Sequence, residues 1–264
     1  MSYGGSSKSE ICFKFYAPRV SRLEIVTTAE RPELHDQFPD AFHAAWPELI
    51  FHDEVAKEYV GQVAKRFALY DVMVVEDGKL IAGGWGVPFA WSGAVGELPS
   101  GYDDALVLSI SMNNEGTSPN TLSLMAIAVR PDHQGQGLAG VVISELRDRA
   151  VASGLTHVIA PVRPTMKAKY PLTTMEDFSK WLRADGLHLD PWIRTHQLLG
   201  ARILSAASRS MVIVGTVSEW EEWTGMVFPQ SGKYVVPDAL DLVTIELGAN
   251  IGTYIEPNLW MQHV

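Results

Sequence analysis

The chain has 264 residues, 47% of them hydrophobic and 20% charged, with a mean hydropathy of +0.03, a formal net charge of −10 and a pI near 5.2. That length and balance describe one globular domain, or one plus an extension, and exclude a disordered chain. The acidic balance argues against a nucleic-acid partner, which needs a basic face, and the single cysteine, Cys12, excludes an internal disulfide and a thiolate metal site.

No apolar run reaches the roughly 18 to 20 residues of a membrane span, and the opening "MSYGGSSKSE" lacks the apolar core of a secretory signal. The expectation is a soluble, cytoplasmic protein with no membrane partner, with residues 1–20, Cys12 included, as a mobile leader. "RLEIVTT" (22–28) alternates like a strand, and "PELHDQFPDAFHAAW" after it is helical with breaks. In "DEVAKEYVGQVAKRF", Val55, Tyr59, Val63 and Phe67 recur every four residues behind Asp53, the pattern of a capped amphipathic helix. Two apolar strands then flank Glu76-Asp77-Gly78, a hairpin signal.

Residues 92–120 are rich in Gly, Ser, Asn and Pro and predict loops around a short strand at Ala105–Ile110. A buried strand at Leu122–Val129 follows, then the turn "RPDHQGQGLAG", then a helix with Leu138, Val142, Leu146 and Ala150 on its apolar stripe and Gly154 at its end. "HVIAPVRP" predicts another buried strand, and "DPWIRTHQLLGARIL" a short helix stopped by Gly200 that leads into a strand near "SMVIVGTV". Residues 218–264 are aromatic and punctuated by Gly and Pro, and their elements are not assignable from the pattern.

A strand feeding a glycine-rich turn and a helix aims several backbone N–H groups at one spot, backed by the positive end of the helix dipole. Such a turn is an anion site, and the alternative is a plain packing turn. The phosphate-loop pattern ending in Gly-Lys-Ser/Thr is absent, and "GQGLAG" does not fit the dinucleotide spacing, so neither ATP nor NAD is favoured. What the turn does match is Gln or Arg, two residues, Gly, one residue, then Gly or Ala, filled by Gln134, Gly137 and Ala139.

In this turn and the order of elements around it, residues 22–217 resemble the GNAT superfamily of acyl-CoA-dependent acyltransferases. The resemblance implies an α/β (α+β) fold, a mixed and mostly antiparallel central sheet flanked by helices. Residues 21–217 would form the acyl-CoA-binding domain, and residues 218–264 an extension packed on it. It implies acetyl-CoA or another acyl-CoA as co-substrate, with no metal. The amides of Gln134, Gly135, Gln136, Gly137, Leu138 and Ala139 would hold the pyrophosphate, and the backbone of Ile127 and Val129 would pair with the pantetheine arm.

Amine acetylation needs a base for the ammonium and an acid for the leaving thiolate. Many family members place a tyrosine acid four residues before the glycine that ends the short helix; here that position is His196, whose reference pKa near 6.5 suits an acid at neutral pH. A packed core histidine is the alternative. The strand carboxylate that serves many members as base is missing from "TLSLMAIAV". "PVRPTMKAKYP" and "GLHLDPWIRTHQLLGARI" resemble GNAT-like loading domains of polyketide synthases, which implies a second function. Thr165 and His196 would assist decarboxylation of malonyl-CoA, Arg163 or Arg209 would hold a substrate carboxylate, and an acyl-carrier protein would be the partner. Arg209 is equally read as a surface charge, and Asp190, Pro191 and Trp192 as helix cap, first turn and core. Tyr254, Glu256 and His263 border a substrate site or form a packed terminal cap.

The expected activity is N-acetyl transfer to a small-molecule amine. Malonyl-CoA decarboxylation or carrier loading, and non-catalytic acyl-CoA binding, stand as alternatives. Oligomeric state is open.

Overall fold

The computed structural model describes residues 23–263, so the leader expected over 1–20, with Cys12, lies outside the described residues. One sheet of nine strands organises the chain: β1 (Leu23–Thr27), β2 (Asp71–Glu76), β3 (Lys79–Phe89), β4 (Thr121–Val129), β5 (His157–Val162), β6 (Arg202–Gly215), β7 (Gly232–Tyr234), β8 (Val243–Glu246) and β9 (Ile251–Gln262). Its order is β1-β2-β3-β4-β5-β9-β8-β7, with β6 along the other edge of β9. Among the described residues only the β4–β5 pair is parallel; the other strand pairs are antiparallel.

The helices are α1 (Phe38–Phe42), α2 (Glu54–Arg66), α3 (Tyr102–Glu115), α4 (Leu138–Ala152), α5 (Met175–Phe178), α6 (Pro191–Leu198) and α7 (Val217–Thr224). Asp53 caps α2 as expected, its Oδ1 accepting from the Val55 amide at 2.8 Å. Asp77 and Gly78 both have positive φ in the two-residue turn between β2 and β3, the geometry that matches strand twist. The stripe expected on α4 is buried and packs on β2, β3 and β4.

Ala105–Ile110 is not a strand. It lies inside α3, where Ala105, Leu106, Ser109 and Ile110 are buried at helical spacing. A six-residue apolar run carries either period; the flanks decide it here, with Asp103 and Asp104 in the first turn and Gly116 at φ 73° closing the last.

Residues 217–263 supply α7, most of a second small core around Trp220, Phe228 and Tyr254 that also takes in Leu49 and Ile213, and the strand that unites the sheet. β9 pairs with β5 over 259–262 and with β6 along its length. Leu259, Trp260 and Met261 are therefore buried in the main core together with Val158 and Ile159.

Candidate active site

β4 and β5 pair only from Thr121–Ser123 to His157–Ile159 and then separate. The cause lies on the far side of β4: the register with β3 slips between Trp85 and Gly86, leaving Met125 as an extra residue, and such a bulge bends its strand. A cavity of about 500 Å³ fills the opening, walled by Leu124–Ile127 of β4, Ala160–Val162 of β5 and Arg163 just beyond it. An added chain can pair with the β4 edge here as a strand would.

At the end of this edge lies the glycine-rich turn. Gly135 and Gly137 adopt φ of 76° and 78°, and a Cβ at either would meet nothing within 4 Å. The glycines are thus required by the left-handed backbone. Gln134, Gly135, Gln136 and Gly137 are exposed, while Leu138 is buried and anchors α4. No side chain caps α4 and no acidic residue occupies its first turn, so the amides and dipole of this fifteen-residue helix remain available to an anion. Asp132 receives hydrogen bonds from Arg130, and His133 bridges Asp132 and Glu76 at 2.8 and 3.2 Å, pinning the base of the loop. An anion at this turn would meet backbone amides and the positive end of α4.

From the opposite wall α6 contributes Trp192 and His196, their rings 4.5 Å apart and edge to face. Asp190 is the cap expected for α6: Oδ1 accepts from the amides of Trp192 and Ile193 at 2.9 and 3.1 Å, and Oδ2 from that of Met166 at 2.6 Å. His196 is 1% exposed. Its Nδ1 lies 2.9 Å from Nε2 of His263, and its Nε2 is buried without a partner. Burial, with His263 adding to it, pulls the His196 pKa down to about 3. The expectation of an imidazole titrating near neutrality is therefore corrected: His196 is neutral at pH 7. Its buried Nε2 carries a lone pair in one tautomer and an N–H in the other.

Thr165 does not join it. It is exposed, off the cavity wall, and its hydroxyl donates to Asp190 Oδ2 at 3.4 Å. Arg163 does line the cavity, but its Nε donates to both Glu256 oxygens at 3.0 Å and its guanidinium also to the Asp238 carbonyl at 2.7 Å. It is already neutralised and is a poor site for a substrate carboxylate. Arg209 is exposed at a bulge of β6, off the wall. Tyr254 is fully buried among core residues; its hydroxyl accepts from the Leu240 amide at 2.7 Å and donates to Glu256 at 3.0 Å, so it holds a wall residue without being one. Glu256 and Asn258 are wall residues, and Asn258 links Glu256 to Ser210 and so to the Tyr102 amide.

A pair of carboxyls, Asp53 and Asp103, close to Tyr102 was not legible in the sequence. Asp103 accepts from the Val212 amide at 2.9 Å and interacts with the buried Asp53 carboxyl; one oxygen of each, Asp103 Oδ1 and Asp53 Oδ2, has no other partner. Burial first, then Asp53, pushes the Asp103 carboxyl up to about 8, so the pair keeps one proton at neutral pH.

A family model described as the acetyltransferase (GNAT) family matches residues 31–172 of this chain. The chain belongs to that family. As a GNAT acetyltransferase it is similar to the curated arginine N-acetyltransferase avaD of Aspergillus versicolor, 28% identical over 270 residues, 90% of this chain and 92% of that one. Among solved structures it shares its fold with the loading GNATL domain of CurA from Lyngbya majuscula, at TM-score 0.60 and 14% identity, covering 92% of this chain and 97% of that one. The GphF GNAT-like decarboxylase in complex with isobutyryl-CoA follows at TM-score 0.51 and 14% identity, covering 71% and 89%. Among the described residues no helix is long and apolar enough to cross a membrane.

Proposed function

We propose that this GNAT acetyltransferase moves the acetyl group of acetyl-CoA directly to the amine of a small cationic acceptor, arginine being the first candidate. The observation that carries this is the separation of β4 from β5, which opens a strand edge between the uncapped start of α4 and a cavity holding His196. The thioester carbon would lie in that cavity, its phosphates at residues 134–139, and its pantetheine along Ile127 and Val129. Holding both reactants in one geometry supplies much of the rate.

The amine must first lose a proton, then its lone pair attacks the carbonyl carbon; the C–S bond breaks and the thiolate takes a proton. The ammonium proton leaves to solvent and the nitrogen's next proton passes to the thiolate; His196, held neutral, orients the transfer through its unpartnered Nε2, accepting a hydrogen bond in one tautomer and donating one in the other. His263 takes the complementary tautomer across the 2.9 Å contact. A cationic acceptor is supported by the similarity to an arginine N-acetyltransferase. The position of Thr165 leaves malonyl decarboxylation without its hydroxyl at the cavity.

Mass spectrometry of products formed from acetyl-CoA and a panel of amines tests the proposal. An adduct 42 mass units heavier on arginine or a related amine is expected. Binding of acetyl-CoA with no acetylated amine would overturn it in favour of a binding module.

A further inference from the structure

A second cavity, of about 400 Å³, adjoins the first and shares Trp46, Phe51, Val60, Trp85 and Ala126 with it. Two features separate it from a packing defect. Its walls are rings, Phe38 and Phe42 of α1 with Trp46, Phe51 and Trp85, and among them stands one carboxylate, Asp71. Gly83 of β3 keeps its floor clear, since a Cβ there would sit 3.2 Å from the Phe42 ring.

Asp71 is only 7% exposed. The Thr28 hydroxyl donates to its Oδ2 at 2.5 Å, while Oδ1 is buried and has no partner. A buried carboxylate oxygen without a donor is costly, and it is retained where something else supplies the donor. Aromatic faces and a carboxylate attract the same ligand: an organic cation with an apolar stem, held by ring quadrupoles and a charge-assisted hydrogen bond. The other titratable groups facing the cavity are His35 and His43, both exposed, and protonated His35 would compete for Asp71.

We infer that the acceptor is dibasic, and that its second, non-reacting cationic group sits between the rings against Asp71 Oδ1 while its reacting nitrogen lies beside His196. This inference rests on the transferase function proposed above. Specificity then arises from the distance between the two cationic groups, measured across the shared wall of Trp46, Phe51 and Trp85.

Two probes differing in one charge test it: agmatine, a primary amine with a guanidinium, and n-butylamine, which lacks it. For the wild type kcat/KM should favour agmatine by tenfold or more. Asp71→Asn keeps the Thr28 contact and removes the charge; it should raise KM for agmatine at least tenfold with kcat within about twofold, collapsing the preference. Calorimetry of agmatine binding to the CoA-loaded protein gives a readout without turnover, and both Asp71→Asn and Phe42→Leu should weaken it, with melting temperature reporting that each variant is folded. Equal rates with the two amines, or unchanged agmatine binding in both folded variants, would overturn the inference. Should no amine be acetylated while agmatine binds in an Asp71-dependent way, the cation site stands and the transferase function falls.

Discussion

The Nδ1 atom of His196 and the Nε2 atom of His263 lie 2.9 Å apart, so of two buried imidazoles one must donate to the other. Whichever donates, the remaining nitrogens of the pair, His196 Nε2 and His263 Nδ1, are left without partners, and His196 belongs to the cavity wall. Neutrality is enforced on both rings: burial brings His196 to about 3 and His263 to about 4, with Arg147 adding to the latter. His263→Phe keeps the ring and removes the partner. Turnover should fall by about 10- to 100-fold with acetyl-CoA affinity unchanged, and His263→Gln should recover part of it. Wild-type kcat in a folded His263→Phe protein would remove the pair from catalysis.

The same pair sets a pH dependence of stability. Its folded pKa values lie below the unfolded value near 6.5, so the unfolded chain binds more protons between about pH 3 and 6.5. The stabilisation is present above that window and is lost as pH falls through it. Urea denaturation at pH 5 and pH 7 should show a drop on acidification that is smaller in His196→Phe.

Asp103 has the opposite sign. Its folded pKa of about 8 stands above the ordinary 3.8, so the folded state holds a proton that the unfolded chain has released. This contribution is full below about pH 4, declines as pH rises, and is gone above about 8. Asp103→Asn mimics the protonated carboxyl and keeps an oxygen for the Val212 amide. It should flatten the decline and leave the protein as stable as wild type, or more so, at pH 8. A steeper loss in this variant at pH 8 would show that the pair does not carry a shared proton.

In the phosphate loop, Gly137→Val should weaken acetyl-CoA binding about tenfold or more through the backbone, because φ is 78° and the space a side chain would enter is open. Gly140→Ala is the matched control: Gly140 shows no such φ, and its Cβ would reach only Leu199 at 3.8 Å. Equal affinities in the two variants, read by calorimetry, would count against a backbone-built anion site.

Gly84 is a test of packing. A Cβ there would lie 2.7 Å from the Ala126 carbonyl and 2.8 Å from Val142, between a strand and α4. Gly84→Ala should cost about 1–3 kcal/mol in chemical denaturation, and the shift of β4 should also lower turnover. An unchanged midpoint would mean that β3 and α4 separate more easily than their burial indicates.

Features written in neighbouring residues were legible in the sequence. The β2–β3 hairpin, the Asp53 and Asp190 caps, and the turn at residues 134–139 each depend on a few consecutive side chains, and each appears where the pattern places it. α3 was not, because a short apolar run between loop-forming residues carries either period. The partners of His196, Arg163 and Asp103 were not legible either. Each lies in another element, His263 and Glu256 at β9 and Asp53 ahead of α2, and only the sheet order brings them together. Thr165 is the converse case: near α6 in sequence, it bonds to the cap of that helix and stays outside the cavity.

β5 and β6 follow one another in the chain, yet each pairs with β9. While the polypeptide emerges from a ribosome at about 5–20 residues per second, those two strand edges must wait for the last strand. The loop at residues 134–139 and the β4 edge are made long before it. The turn and the β4 edge can thus form first, whereas His196 meets His263, and Arg163 meets Glu256, only when β9 arrives. Until β9 has been made, the edges of β5 and β6 that it covers are open to wrong pairing.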